Sequence, residues 1–193
     1  MKSKILVING HPDSQSLCSA LAGAYMEGAA GSDAEVRSID LSKIEFNPNL
    51  KYGYRQRTEL EDDLIASQKL ISWADHLVFV YPTWWGAMPA ILKGFIDRVF
   101  LPGYAFKYRT NSAFWDKLLT GKSAHLIVTM DTPAWYYKWI YRSAGHNVMK
   151  RNILQFSGIT PVRITEITPV KTSSPEKRAK WLDKVKQLGS KLA

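Results

Sequence analysis

The densest group of chemically unusual residues is the segment Tyr81-Pro82-Thr83-Trp84-Trp85-Gly86-Ala87-Met88-Pro89. Large aromatic side chains belong mostly in cores. Two consecutive tryptophans cannot both face one core from the end of a strand, so at least one is expected to line a pocket or an interface. The prolines stiffen the segment, and Gly86 lets backbone N–H groups come close to a flat ligand. A second group, Gly10-His11-Pro12-Asp13-Ser14-Gln15-Ser16, combines a turn glycine with hydroxyl and imidazole donors just ahead of a helical pattern. The start of such a helix offers unpaired N–H groups and the positive end of its dipole, which favours an anion such as a phosphate. The plainer reading makes Ser16 an N-cap and leaves His11 satisfied by backbone. This segment is neither the GxGxxG of a Rossmann dinucleotide site nor the glycine-rich loop of an NTPase. A third group, Thr129-Met130-Asp131-Thr132-Pro133-Ala134-Trp135-Tyr136-Tyr137, is aromatic enough to roof a planar molecule.

All three groups directly follow apolar runs of the kind that form buried strands. Ile5–Ile8 ends at Asn9-Gly10, Leu77–Tyr81 ends at Pro82, and Leu126–Val128 leads into Thr129. Val36–Leu41 and Val162–Ile167 supply two further strands. Helical spacing fills the intervals: Leu17 to Gly28, residues 59–74, Pro89 to Val99, residues 144–156, and a last helix opened by Ser174-Pro175-Glu176 with Trp181, Val185 and Leu188 facing inward. Residues 42–58 form a long connection of the kind that is often functional. Near-continuous apolar strands separated by helices predict an α/β protein: a doubly wound, five-stranded parallel sheet with helices on both faces. Residues 1–193 read as a single domain. In such a sheet ligands bind beyond the carboxyl ends of the strands, where strand order reverses, which is where the three groups gather.

Composition narrows the classes. The chain has 193 residues, one cysteine, and 26 Lys plus Arg against 17 Asp plus Glu, a formal charge of +9. No apolar run approaches the roughly 18 residues of a membrane span. The apolar part of MKSKILVING is too short for a signal peptide, and a lone Cys18 makes no internal disulfide, so a cytoplasmic protein is expected. The basic residues are scattered, and the densest set, from Lys177 and Arg178 to Lys191, reads as a solvated helix face. With no zinc-finger or RNA-binding signature, no nucleic-acid partner is expected. His11, His76, His125 and His146 are too dispersed for a metal site. Cys18 reads as a small core residue, and the absence of a Gly-x-Ser-x-Gly elbow argues against a hydrolase.

The run from Tyr81 to Phe100, YPTWWGAMPAILKGFIDRVF, resembles the hallmark of the flavodoxin-like NAD(P)H:quinone oxidoreductases, the DT-diaphorase family. Their pattern reads P-x-x-W-x-x-x-P-A-x-L-K-G-x-x-[DE]-R-V. Gly10-His11-Pro12, the stretch from Asp40 to Pro48, Tyr104–Tyr108 and Phe156-Ser157-Gly158 support it. The resemblance implies a flavodoxin-like fold holding FAD, or FMN in some relatives, at the sheet edge. His11, Ser16, Leu17 and Cys18 match positions around the ribityl and phosphate part. Pro82, Thr83, Trp84, Trp85 and Gly86 match the loop along the isoalloxazine, and Arg178 falls near an adenosine-side arginine. Phe106 and Tyr108 match aromatics that close the substrate pocket from a partner subunit, with Trp135 beside them, which implies a homodimer with sites at its interface. The resemblance further implies NAD(P)H as electron donor and a quinone or similar planar acceptor, reduced by two electrons in a ping-pong sequence.

The third group departs from the family. Relatives carry a Gly-Gly turn there, followed by a tyrosine and a histidine that assist hydride transfer; here Tyr136, Tyr137 and His146 are the candidates for that catalytic role. Two alternatives remain: a single-electron flavodoxin-type carrier, and a regulatory flavoprotein docked on another protein. Such carriers are typically acidic and use a Ser/Thr-rich phosphate loop, and this chain has neither feature.

Overall fold

The computed structural model describes residues 2–191. In chain order the elements are β1 (Lys4–Asn9), α1 (Leu17–Ala30), β2 (Glu35–Asp40), α2 (Asp62–Trp73), β3 (His76–Pro82), α3 (Ala90–Val99), β4 (Phe106–Tyr108), β5 (Trp115–Lys117), β6 (Ser123–Thr129), α4 (Ala134–Trp139), α5 (Ala144–Asn147), β7 (Val162–Ile167) and α6 (Pro175–Ser190). A π-helical segment, Val148–Gln155, continues α5. Five strands form one parallel sheet in the order β2-β1-β3-β6-β7, and β4 pairs antiparallel with β5 outside it. This is the doubly wound order expected from the alternation of apolar runs and helices, and it reverses between β1 and β3.

Alternate side chains of each strand go to opposite faces. Leu6, Ile8, Leu77, Phe79, Leu126 and Val128 pack with residues of α2, α3 and the π segment. Ile5, Val7, Val78, Val80 and Ile127 pack with residues of α1 and α6. Each such fully buried side chain contributes roughly 1.5–3 kcal/mol. On the second face Gly28 and Gly189 let α1 and α6 meet backbone to backbone, because a Cβ at either would collide with the other helix. Val185 is fully buried in that seam, with Trp181 and Leu188 packed beside it.

The departures from the sequence-based elements have physical causes. The helix expected from residue 59 starts at Asp62 because Glu59–Glu61 is committed to Arg98. That side chain is 1% exposed, and its guanidinium donates to Asn47 O at 2.5 Å, Glu59 O at 2.8 Å, and Glu61 Oε1 and Oε2 at 3.2 and 2.7 Å. Gly94, one turn earlier on α3, lies against Pro48, where a Cβ would sit 2.7 Å from the Pro48 carbonyl oxygen. Together they press the long connection onto α3. The hairpin β4/β5 escapes sequence reading because three-residue strands leave no period to detect. Helix α4, read as loop, begins immediately after Pro133, whose fixed φ suits a helix start. No helix among the described residues is long and apolar enough to cross a membrane.

Candidate functional site

At the β1/β3 reversal, Asn9 organises the first loop. Its side-chain Nδ2 donates to Ser19 Oγ at 2.9 Å and Asp40 Oδ1 at 3.1 Å, while its Oδ1 accepts the His11 N–H at 3.2 Å. His11 Nδ1 accepts the Asp13 N–H at 2.9 Å, so the neutral ring carries its proton on Nε2, a donor left for a ligand. Ser16 is the N-cap of α1 and accepts from Ser19 N at 3.2 Å. The plainer reading of this loop therefore describes its internal bonds, and it coexists with a free donor set. The backbone N–H groups of Leu17 and Cys18, in the first turn, have no intrahelical acceptor.

Those groups open into a cleft of ≈ 240 Å³ whose lining includes His11, Ser16, Leu17, Cys18, Pro82 and Thr83. Trp84 walls it, set edge-on to the His11 ring at 5.4 Å. The opposite rim is Thr129, Met130 and Asp131, which open the third chemical group, and Val170, which nothing in the sequence marks. Thr83 N donates to Thr129 O at 2.7 Å, tying the second loop to the third. Burial pushes the Cys18 thiol up to about 11, partly opposed by its Thr129 Oγ1 contact at 3.4 Å, so it stays protonated and unreactive. A larger cavity of ≈ 520 Å³, bordered by Tyr54, Arg57, Gln68 and Tyr104, lies between the long connection and the end of α3 and holds none of these residues.

Beside the cleft, Trp84 and Ala87 exchange both backbone hydrogen bonds, at 2.8 and 3.0 Å. The corner residues Trp85 and Gly86 have φ of +50° and +76°, the signature of a type I′ turn. The Trp84 N–H is consumed by that turn, leaving the Trp85 and Gly86 N–H groups as its outward donors. The Trp85 indole is fully exposed, at 105%. A tryptophan held at positive φ is strained by about 1–3 kcal/mol.

The turn is fastened from behind. The Tyr137 hydroxyl donates to Gly86 O at 3.0 Å and accepts the Gly145 N–H at 2.9 Å. A Cβ on Gly145 would collide with Gly86 O and lie 2.7 Å from the Tyr137 hydroxyl. His146 is buried, its ring 4.8 Å from that of Tyr137, and its Nε2 meets Glu166 Oε1 at 3.0 Å. Burial lowers the His146 pKa from 6.5, while the hydrogen bond and charge of Glu166 pull it upward. Tyr137 and His146 thus come together behind the turn, whereas Tyr136 and Trp135 sit on the outer surface. Phe106 is buried within its own chain against Phe156 at 5.0 Å, while Tyr108 is exposed. Arg178 lies outside the cleft lining, with Nε on Ser173 Oγ at 2.9 Å.

A cleft at the strand-order reversal, with imidazole and helix-start donors on one side and an aromatic turn beside it, lies where doubly wound sheets take their ligands. The family described as Flavodoxin-like fold matches residues 3–190, and the chain belongs to it. It is 31% identical, over 81% of its length and 79% of the relative's, to a Haemophilus influenzae protein described as an uncharacterized NAD(P)H oxidoreductase. It is 30% identical to the human ribosyldihydronicotinamide dehydrogenase [quinone], over 69% of this chain and 66% of that one. Among solved structures, Smu.1420 from Streptococcus mutans superposes with a TM-score of 0.84 at 33% identity, covering 97% of this chain and 99% of that one. The chain spans between 46% and 66% of the length of several eukaryotic relatives it matches.

Proposed function

We propose that the chain is a flavin-dependent NAD(P)H:quinone oxidoreductase. The observation that carries this reading is the cleft in which His11, its Nε2–H unengaged, and the first-turn N–H groups of α1 meet Pro82, Thr83 and Trp84, with the rest of the Trp84–Ala87 turn beside it. That donor set fits a flavin phosphate, since protonated nitrogen donors face it from the imidazole and the helix start. When bound, the flavin supplies the redox chemistry by accepting a hydride and passing on two electrons.

The protein's own share is binding and orientation. His11, Leu17 and Cys18 hold the phosphate, Ser16 shapes the helix start, and Pro82, Thr83 and Trp84 wall the ring system. The N–H groups of Trp85 and Gly86, unused within the turn, would offer donors to the edge of a bound ring system and favour negative charge there. Tyr137 acts by positioning: its hydroxyl is committed to Gly86 O and Gly145 N–H, and His146 with Glu166 backs it. Donor and acceptor take turns in the same aromatic slot, the ping-pong order.

The exposed Trp85, Tyr108, Trp135, Tyr136, Trp139 and Tyr141 support a homodimer that covers this surface and completes the slot. FAD is the reading kept for the cofactor, with FMN the alternative. Both use the same phosphate contacts, and the mass of the extracted flavin distinguishes them. A reduced pyridine nucleotide as donor and a single buried cysteine favour the cytoplasm.

The test is anaerobic addition of NADPH to the flavin-loaded protein. Rapid, complete loss of the flavin's visible absorbance, restored by a quinone, is expected. A tightly bound flavin that ignores both NADH and NADPH would overturn the reading.

A further inference from the structure

Behind the aromatic turn lies a second pocket of ≈ 320 Å³, bordered by Ser143, His146, Asn147, Lys150, Arg151 and Glu166. Its chemistry is that of an anion site. From residue 132 to residue 165 the sequence holds no Asp or Glu but contains Lys138, Arg142, Lys150, Arg151 and Arg163. The one carboxylate in the pocket, Glu166, is engaged by His146 Nε2 at 3.0 Å. Among the described residues neither Lys150 nor Arg151 makes an ion pair, although Lys150 is half-buried. Arg151 is exposed, and an ammonium and a guanidinium side by side can grip a phosphate through several charge-assisted hydrogen bonds. The Ser143 hydroxyl and Asn147 amide stand alongside, the latter with one N–H on Arg142 O at 2.9 Å and the other free. Both basic residues belong to the π-helical segment, a geometry that recurs at functional sites.

Position connects this pocket to the turn. His146 in its wall follows Gly145, whose N–H bonds the Tyr137 hydroxyl that holds Gly86 O. The pocket and the turn are thus joined through Gly86, Tyr137, Gly145 and His146, and a dinucleotide carries phosphates several bonds beyond its reactive ring. We propose that this pocket binds a phosphate of the dinucleotide donor, either the diphosphate or the 2′-phosphate of NADPH. The inference rests on the quinone oxidoreductase reading for the donor's identity, and on the pocket alone for its preference for phosphate.

The experiment compares the flavin-loaded wild type with the double variant Lys150→Ala/Arg151→Ala, using NADPH, NADH and the phosphate-free donor N-ribosyldihydronicotinamide. KM for the dinucleotide is expected to rise about tenfold, with little change for the phosphate-free donor, because only interactions with the phosphate are removed. A rise with NADPH alone assigns the 2′-phosphate, and a rise with both dinucleotides assigns the diphosphate. An equal rise with the phosphate-free donor, or none with either dinucleotide, overturns the proposal. Calorimetric titration with adenosine 2′,5′-bisphosphate and with ADP gives a readout independent of turnover: the wild type binds at least one and the double variant neither. Binding unchanged in the variant, or absent from the wild type, refutes the pocket. Should no donor reduce the wild type, the oxidoreductase reading fails, and the titration still decides the phosphate site.

Discussion

Two loops at the ligand-binding edge are secured by the same device with opposite chemistry. The long connection after β2 is pinned by Arg98, a buried cation with four oxygen contacts, and by Gly94 against Pro48. The Trp84–Ala87 turn is pinned by Tyr137, a neutral hydroxyl with two backbone contacts, and by Gly145 against Gly86. In each case a glycine permits backbone contact and one polar side chain then locks it. The connection is fastened by charge and carries no positive φ at its anchor points, whereas the turn is fastened by one hydroxyl and holds a strained Trp85. The connection, which borders the larger cavity and not the cleft, is therefore held by several charged contacts, while the turn beside the cleft is held by fewer and keeps its strain.

The largest effect is expected from Arg98→Leu, which keeps apolar volume on α3 but strips Asn47 O and Glu59 O of their donor. A loss of about 3–5 kcal/mol is expected in equilibrium urea unfolding. A loss below about 1 kcal/mol would mean the connection holds without its anchor, and the contrast with the turn would fail.

Much of this was legible in the sequence. The five parallel strands announced themselves as β-branched runs, and α1 and α6 by Ser16 and Ser174 ahead of amphipathic spacing. Trp84, Pro82 and His11 stood out because aromatics, prolines and an imidazole at strand ends are chemically conspicuous. The anchors were hidden for a physical reason. Arg98 lies in a helix with an otherwise ordinary polar face, and nothing local says that its guanidinium turns inward to carbonyls 39 and 51 residues away. A charged residue beside the apolar Phe95, Ile96 and Val99, in register with Gly94, was the available signal. The Tyr137 clamp depends on a helix, α4, whose aromatic residues and Pro133 mimic a loop, so the approach of Gly145 to Gly86 had no signature at all.

Tyr137→Phe comes next in size. It keeps the buried ring and removes only the hydroxyl, leaving Gly86 O and Gly145 N–H without partners, for a cost of about 1–3 kcal/mol. Amide hydrogen exchange at Trp84 and Ala87, whose mutual hydrogen bonds close the turn, should quicken selectively, with the long connection unaffected. Equal quickening in both loops would merge the two devices into one.

Acid separates the anchors more gently. Burial pushes the Glu61 carboxyl up, but N–H donors from Asn47 and its own backbone, with the Arg98 guanidinium, outweigh it and hold the pKa below 4.5. A carboxyl depressed in the folded state contributes stability that is complete above its unfolded pKa and lost as pH falls through the folded value. The connection should therefore loosen at pH values below the ordinary glutamate range, while the hydroxyl that fastens the turn stays protonated and acid reaches the turn only indirectly, through the His146–Glu166 pair behind Tyr137. Pepsin digestion in that range should cut first within residues 42–61, and first cuts at residues 84–87 would reverse the comparison.

The smallest stability effect is expected at Trp85, and it separates strain from purpose most sharply. At φ +50° a glycine is comfortable and a tryptophan is not. The exposed indole contributes nothing to the core, so Trp85→Gly should leave the urea midpoint nearly unchanged, within about 1 kcal/mol, as relief of strain offsets the added entropy of the unfolded chain. Flavin affinity, the rate of reduction by NADPH or the dimer fraction should nevertheless fall, because a residue kept at a conformational cost with no internal contact must act on something outside its own fold. If all three readouts survive together with the stability, the strain at this corner serves no ligand, and the looser fastening of the turn loses its functional meaning.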